Sequence, residues 1–369
     1  MRLQENGCQP MDQALRAPGA TARGQDRSDA SQACYAALDL GTNNCRLLIA
    51  TPSAQGFRVV EAFSRIVRLG EGLSQTGQLS DAAMDRAVAA LKISGEKVRR
   101  RQVIRFRAIA TQACRAATNG AVFVERVARE TGVHLQIISP QEEARLSVTG
   151  CLNLLDRSHE AALVVDVGGG STELSWVDLT TSEPGQMPLL KAWLSVPIGV
   201  VTLAERFPEG DAPTEAWYRA MVDTMKGEIS AFQRADSLRP LFEANRAHMV
   251  GTSGAITSLA GLHLDLARYD RSRVDGIWMT RGQCEAAADR LLAVSATERA
   301  EQPCIGPERS DLVLAGAAIL QAVQELWPCE RVRVADRGLR EGILLSLMSD
   351  RRPRRRRRRG GTPSGGARS

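Results

Sequence analysis

Three glycine-rich turns, each behind an apolar run, carry the residue types in this 369-residue chain that could do chemistry. They are Asp39-Leu40-Gly41-Thr42-Asn43-Asn44, Asp166-Val167-Gly168-Gly169-Gly170-Ser171-Thr172-Glu173 and Val250-Gly251-Thr252-Ser253-Gly254-Ala255. Glycine lets the backbone turn sharply and bring N–H groups against an anion, while Ser and Thr add hydroxyl donors. Gly41, Thr42 and Asn43, then Gly168, Gly169, Gly170, Ser171 and Thr172, then Gly251, Thr252, Ser253 and Gly254 are therefore candidate phosphate-binding residues. Asp39 and Asp166, hard oxygen donors at strand ends, suit Mg²⁺, usually through intervening waters. One such turn would say little, since Gly-rich hairpin turns are common. Two copies led by Asp, 127 residues apart, with a third turn of related composition make a pattern.

Other phosphate and hydrolase signatures are excluded. The four lysines, Lys92, Lys97, Lys191 and Lys226, never follow a glycine, so there is no Walker A loop. Gly70-Glu71-Gly72 has Gln75 where a dinucleotide fingerprint needs its third glycine. Ser253 sits in Gly-Thr-Ser-Gly-Ala, with a glycine one residue too early for a nucleophile elbow. The eight cysteines form no Cys-x-x-Cys pair, and none of the four histidines lies beside a cysteine or at zinc-ligand spacing. Reduced, mostly buried thiols are expected.

The turns need strands to hold them. Apolar runs predict strands at Tyr35 to Leu40, Leu47 to Ala50, Gly56 to Phe63, Arg105 to Ala110 and Leu135 to Ile138, with helices at Ser80 to Arg100, Ala121 to Glu130 and Gln141 to Leu154. The opening pattern then returns: Ala161 to Asp166, a glycine turn, and Leu174 to Leu179 repeat the strand, Asp-Gly turn, strand unit, as an internal repeat at domain scale would. Helices are expected at Val200 to Glu205, Thr214 to Arg234, Gly254 to Leu262, Arg281 to Leu292 and Arg309 to Glu325, strands at Met249 to Gly251 and Arg331 to Val334, and a last helix beyond. The fold class is α/β. A first domain over 33–140 and a second over 141–334 are expected, with 335–348 returning to the first.

Composition sets the context. At 43% hydrophobic and 24% charged the chain can bury a core. The net charge of +6 misleads, because residues 351–369 hold nine arginines and no acid; setting them aside leaves −3, which excludes a basic globular domain. That tail, with its Arg354 to Arg359 run, and residues 1–32, which lack hydrophobic periodicity and include a second candidate start at Met11, read as disordered. Three readings of the tail stay open: a solvated end, non-specific contact with nucleic acid, or attraction for another polyanion. No apolar run reaches the length of a membrane span, and no secretory signal opens the chain, so a cytoplasmic protein without a membrane partner is expected.

Eight collinear segments resemble the Ppx/GppA phosphatases, exopolyphosphatases and guanosine pentaphosphate phosphohydrolases of the actin-like ATPase superfamily. They are AALDLGTNNCRLLI from Ala36, VRLGEGL from Val67, IATQACRAATN from Ile109, SPQEEARL from Ser139, VVDVGGGSTEL from Val164, SVPIGVVTLAERF from Ser195, VGTSGAITSLAGL from Val250 and RGLREGIL from Arg337. The family usually has Ser at the positions of Thr42 and Asn44 and an aromatic at that of Cys45; Thr42 keeps the hydroxyl. The resemblance implies two ribonuclease-H-like domains around a cleft, in a short form that lacks the HD domain of longer members. It implies Glu143 as the general base, although acids such as Glu142 and Glu143 at a helix start could simply complement the helix dipole. It further implies Arg115 as a phosphate contact, Asp166 and Glu173 as an acidic pair near the metal and the water, and a homodimer. The expected reaction is Mg²⁺-dependent release of terminal orthophosphate from inorganic polyphosphate. Hydrolysis of pppGpp and a polyphosphate or nucleotide sensor with little turnover are the rivals. Arg68, Glu71, His134 and the tryptophans are expected to be structural.

Overall fold

The computed structural model describes residues 33–349 except 55, 184, 185, 231 and 233–235; the two expected disordered ends, 1–32 and 351–369, lie outside the described residues. Strands β1 (Tyr35–Leu40), β2 (Asn44–Ser53), β3 (Gly56–Ile66), β4 (Arg105–Ala110) and β5 (Leu135–Ile137) form one sheet in the order β3-β2-β1-β4-β5. Strands β6 (Ala161–Val167), β7 (Thr172–Asp178), β8 (Leu189–Val196), β9 (Ala247–Thr252), β10 (Trp278–Thr280) and β11 (Arg331–Ala335) form the other, in the order β10-β11-β9-β6-β7-β8. Each sheet begins as an antiparallel meander of three strands and continues in parallel: β1 pairs antiparallel with β2 and parallel with β4, and β6 pairs antiparallel with β7 and parallel with β9. The expected repeat is thus one α/β, ribonuclease-H-like topology laid down twice, with β10 added at an edge.

The central strands explain their own runs. β1 and β6 are buried along nearly their whole length, so their sequences are almost continuously apolar rather than alternating. The helix Asp81–Arg100 starts where Ser80 accepts a hydrogen bond from the Ala83 N–H, and it lays Ala83, Ala87, Ala90 and Leu91 against the first sheet's core.

Some boundaries differ from the sequence pattern. The expected helix to Leu154 stops at Gly150, followed by a 3₁₀ turn at Leu152–Leu154. The helix expected from Arg309 begins at Val313, because residues 309–312 close turns onto Gly306 and Arg309. β8 and β10 were not legible: β8 is a half-exposed edge strand and β10 has three residues.

Two helices bridge the layers. In Pro140–Gly150, Leu146 packs with Tyr35, Ala37, Leu48, Ile343 and Leu344 behind the first sheet, whereas Val148 joins Ala162, Val164 and Val250 of the second. The last helix, Leu339–Ser349, crosses it at glycines: a Cβ on Gly342 would lie 1.9 Å from the Leu146 carbonyl oxygen, and one on Gly150 1.9 Å from that of Gly338. Arg68 reaches Asp311 at 2.9 Å and Glu205 accepts from the Gly72 N–H and the Ser74 hydroxyl, so both Arg68 and its loop tie the two halves together. The cysteines described are all free and, apart from Cys34, buried; Cys8 lies outside the described residues. No helix among the described residues is long and apolar enough to cross a membrane.

Candidate active site

The glycine turns are built alike. In the first, the Gly41 N–H donates to the Asn44 carbonyl at 2.9 Å; in the second, the Gly168 N–H donates to the Ser171 carbonyl at the same distance. The third is the entry to the helix Gly254–His263, where Ser253 accepts from the Ile256 N–H at 3.0 Å. The turns meet closely. A Cβ on Gly169 would stand 3.1 Å from the Asn43 nitrogen, and one on Gly170 2.4 Å from the Thr42 hydroxyl, so glycine is what lets the two halves touch here. Together they line a cavity of about 660 Å³ that also receives Asp39, Glu143, Asp166 and Glu173.

Of the residues expected in the site, Gly41, Thr42, Asn43, Gly168, Gly169, Gly170, Ser171, Thr252, Ser253 and Gly254 stand on the cavity wall. Among the described residues, the amides of Thr42, Asn43, Gly169 and Gly170 donate to no backbone carbonyl, and the side-chain oxygens Thr42 Oγ1, Asn43 Oδ1 and Asn44 Oδ1 are buried without partners. Unsatisfied buried groups are costly, so their clustering on one wall marks a place built for a polar ligand. Three expected residues are not on that wall. Thr172 is fully buried and donates to the Ile198 carbonyl at 2.7 Å. Gly251 lies within β9, where a Cβ would meet Ile256 at 2.9 Å. Arg115 stands behind Glu143: its Nη1 donates to Glu143 Oε2 at 3.1 Å and to the Ile138 carbonyl at 2.8 Å, and its Nη2 donates to Gln112 Oε1 at 2.8 Å. In this arrangement it orients the carboxylate and is not on the phosphate-facing surface.

Glu143 is placed by its helix. Ser139 caps Pro140–Gly150 by accepting from the Glu142 N–H, Pro140 supplies the preset first-turn φ, and the two glutamates follow in the first turn. Glu142 turns outward to Arg107 at 2.6 Å, while Glu143 points into the cavity and is buried. Burial, and then the nearby charge of Glu173, push the Glu143 carboxyl well above the usual range, with Arg115 opposing. Burial likewise raises Asp166 to about 6, although Ser147 donates to it, and Glu173 to about 7, with Ser195 donating to its Oε1 at 2.8 Å.

Asp39 and Asp166 fit a hydrated cation. Asp39 Oδ1 is buried without a hydrogen-bond partner, and burial raises its carboxyl as well. Among the described residues no three His, Cys, Asp or Glu side chains converge as a direct ligand set.

These shifts give a pH dependence. The carboxyls of Asp166 and Glu173 bind protons up to about pH 6 and 7 in the folded protein but only to about pH 4 when unfolded, so their contribution to stability falls as pH rises through that window. Thermal unfolding followed by circular dichroism from pH 5 to 8, without divalent cations, should show a declining midpoint. Glu173→Gln should flatten the decline; an equally steep profile in that variant would refute the assignment.

Sequence reasoning missed the positive side of the cavity. Arg46, Arg309 and Arg340 stand on its wall, as does Gln112. Burial and the neighbouring Arg340 pull the Arg46 guanidinium below its ordinary value, and no side-chain hydrogen bond or salt bridge among the described residues holds any of these three arginines. Asp39 and Asp336 lie close enough to favour the charged form of Arg46, but among the described residues none of the three arginines has its donors tied to a carboxylate, which leaves those donors for an anion. The signal for Arg46 was present in the repeat. Asp166 pairs across the ladder with Glu173, seven residues on, and Asp39 pairs with Arg46 at the same spacing.

The sequence pattern of the Ppx/GppA phosphatase family matches residues 48–351. The chain is 29% identical over 331 residues to exopolyphosphatase 2 of Mycobacterium tuberculosis, which covers 85% of this chain and 98% of that protein. Its structure is similar to the crystal structure of an Aquifex aeolicus Ppx/GppA family member, with a TM-score of 0.71 at 29% identity over 87% of this chain and 99% of that one. An exopolyphosphatase from Cytophaga hutchinsonii shares the fold at a TM-score of 0.77 and 22% identity, over 86% of this chain and 98% of that one. With the family pattern matching residues 48–351, the chain belongs to the Ppx/GppA phosphatase family.

Proposed function

We propose that the protein is an exopolyphosphatase that removes terminal orthophosphate from inorganic polyphosphate. The observation that carries this reading is the placement of Glu143: a buried carboxylate on the cavity wall, oriented by Arg115, among glycine turns with unused amides. Phosphoryl transfer asks mainly for positioning, charge neutralisation and an oriented nucleophile. Among the described residues nothing donates to Glu143 Oε1, which leaves it for a water. That water's oxygen attacks the terminal phosphorus, its proton passes to Glu143, and the bridging P–O bond breaks with its electron pair leaving on the shortened chain. The amides of Thr42, Asn43, Gly169 and Gly170, with Arg46, Arg309 and Arg340, hold the phosphoryl oxygens. Mg²⁺, held through water by Asp39 and Asp166 near Glu173, would neutralise charge on the phosphates.

One observation favours pppGpp as a second substrate. The cavity extends well past the turns to Tyr269, Ile305, Pro307 and Leu312, space that a terminal phosphate does not fill and a nucleoside could. Orthophosphate release from long-chain polyphosphate, pppGpp and ATP, each with Mg²⁺ and at equal enzyme concentration, decides between them. Polyphosphate turnover well above that of pppGpp supports the proposal, and the reverse order assigns the protein to nucleotide hydrolysis. Tight polyphosphate binding without release would make it a sensor.

A further inference from the structure

Arg299 is fully buried, lies outside the cavity and plays no part in the chemistry above. It extends from the short helix Ala296–Glu301 and ties three segments together. Its Nη1 donates to the carbonyls of Val294 at 2.8 Å and Leu291 at 3.3 Å, its Nε donates to the Ser310 carbonyl at 3.1 Å, and its Nη2 pairs with Glu209. Ser310 follows Arg309 directly in sequence. The Arg309 guanidinium carbon lies 3.8 Å from where a Cβ on Gly254 would be, at the third glycine turn.

We infer that Arg299 is a positioning residue that fixes Arg309 over the phosphate site. The inference rests on the function proposed above. For stability alone, a buried ion pair is often no better than an apolar side chain of the same volume. What the planar guanidinium adds is geometry, since one rigid fork ties the carbonyl beside Arg309 to the end of the helix Arg281–Leu292 and to Glu209. A lysine keeps the charge but cannot hold these acceptors in one plane.

The test is a double-mutant cycle between Arg299→Lys and Arg309→Gln, read as KM and kcat on polyphosphate and as the Kd of tripolyphosphate by calorimetry. Arg299→Lys should raise KM and Kd about tenfold while kcat stays within about twofold, the signature of lost uniform binding. In the Arg309→Gln background the same change should add less than about twofold, because both act through one contact. Unchanged KM and Kd in folded Arg299→Lys, or full additivity in the double variant, would overturn the inference. If Arg299→Lys does not fold, Glu209→Gln takes its place in the cycle, and a lowered melting temperature with unchanged Kd is then the overturning result. Wild type that binds tripolyphosphate without releasing phosphate would sink the proposed activity and leave the cycle readable through Kd. Wild type that neither binds nor hydrolyses overturns both.

Discussion

Glu143→Gln should reduce orthophosphate release by about 10²- to 10⁴-fold, the range a positioned general base contributes. The amide keeps the shape and can still accept from Arg115, which the Ile138 carbonyl and Gln112 also hold in place, so the loss would measure proton removal rather than collapse of the site. Its stability should move the other way. The Glu143 carboxyl is raised by burial and by Glu173, so ionising it costs folding energy as pH rises, and a neutral amide should melt higher than wild type at pH 8. Glu142→Gln is the control. Glu142 pairs outward with Arg107 in a half-exposed bridge of the kind worth about 1 kcal/mol or less, and activity should stay within about twofold. A Glu143→Gln enzyme retaining more than a tenth of wild-type turnover would remove Glu143 from the role of base.

A large loss of stability is expected on substituting Gly342. Its absent Cβ would sit 1.9 Å from the Leu146 carbonyl oxygen and 3.2 Å from the Gly150 nitrogen, contacts with helix backbone that a rotamer change cannot relieve. Gly342→Ala must push the helices Pro140–Gly150 and Leu339–Ser349 apart, at a cost of about 3 kcal/mol or more, the upper end of overpacking effects. Gly227 provides the contrast. It is exposed in the helix Glu215–Ser230 with nothing near its missing Cβ, so Gly227→Ala should stabilise by about 0.5–1 kcal/mol through helix propensity. Urea midpoints of the two variants would show the opposite signs. A Gly342→Ala protein as stable as wild type would mean the helices do not cross as described. Because one helix carries Glu143 and the other carries Arg340 in its first turn, both on the cavity wall, Gly342→Ala should also lower turnover in whatever fraction stays folded.

Local signals made most of this legible in the sequence. The three turns stand out because glycines, Asp and hydroxyls sit together behind apolar runs, and apolar runs and helix caps placed most elements. Three kinds of feature escaped. Arg309 and Arg340 reach the cavity from segments remote in sequence from the turns; no local pattern marks Arg309, and the segment RGLREGIL that contains Arg340 did not show that its side chain would face the cavity. Arg115 was recognised by its motif, but the motif could not show that Glu143, Ile138 and Gln112 would occupy its donors. β8, half exposed, and β10, three residues long, owe their pairing to neighbouring strands more than to their own composition.

Arg46 and Glu173 occupy equivalent places in the two copies of the fold, each opposite the aspartate that leads its turn. One module supplies a cation at that place and the other an anion, so the duplicated halves are no longer interchangeable. The charge at these equivalent positions therefore differs, a guanidinium beside Asp39 in one module and a carboxyl beside Asp166 in the other. A symmetric pair of modules would present the same group from both sides of the cavity; this divergence does not.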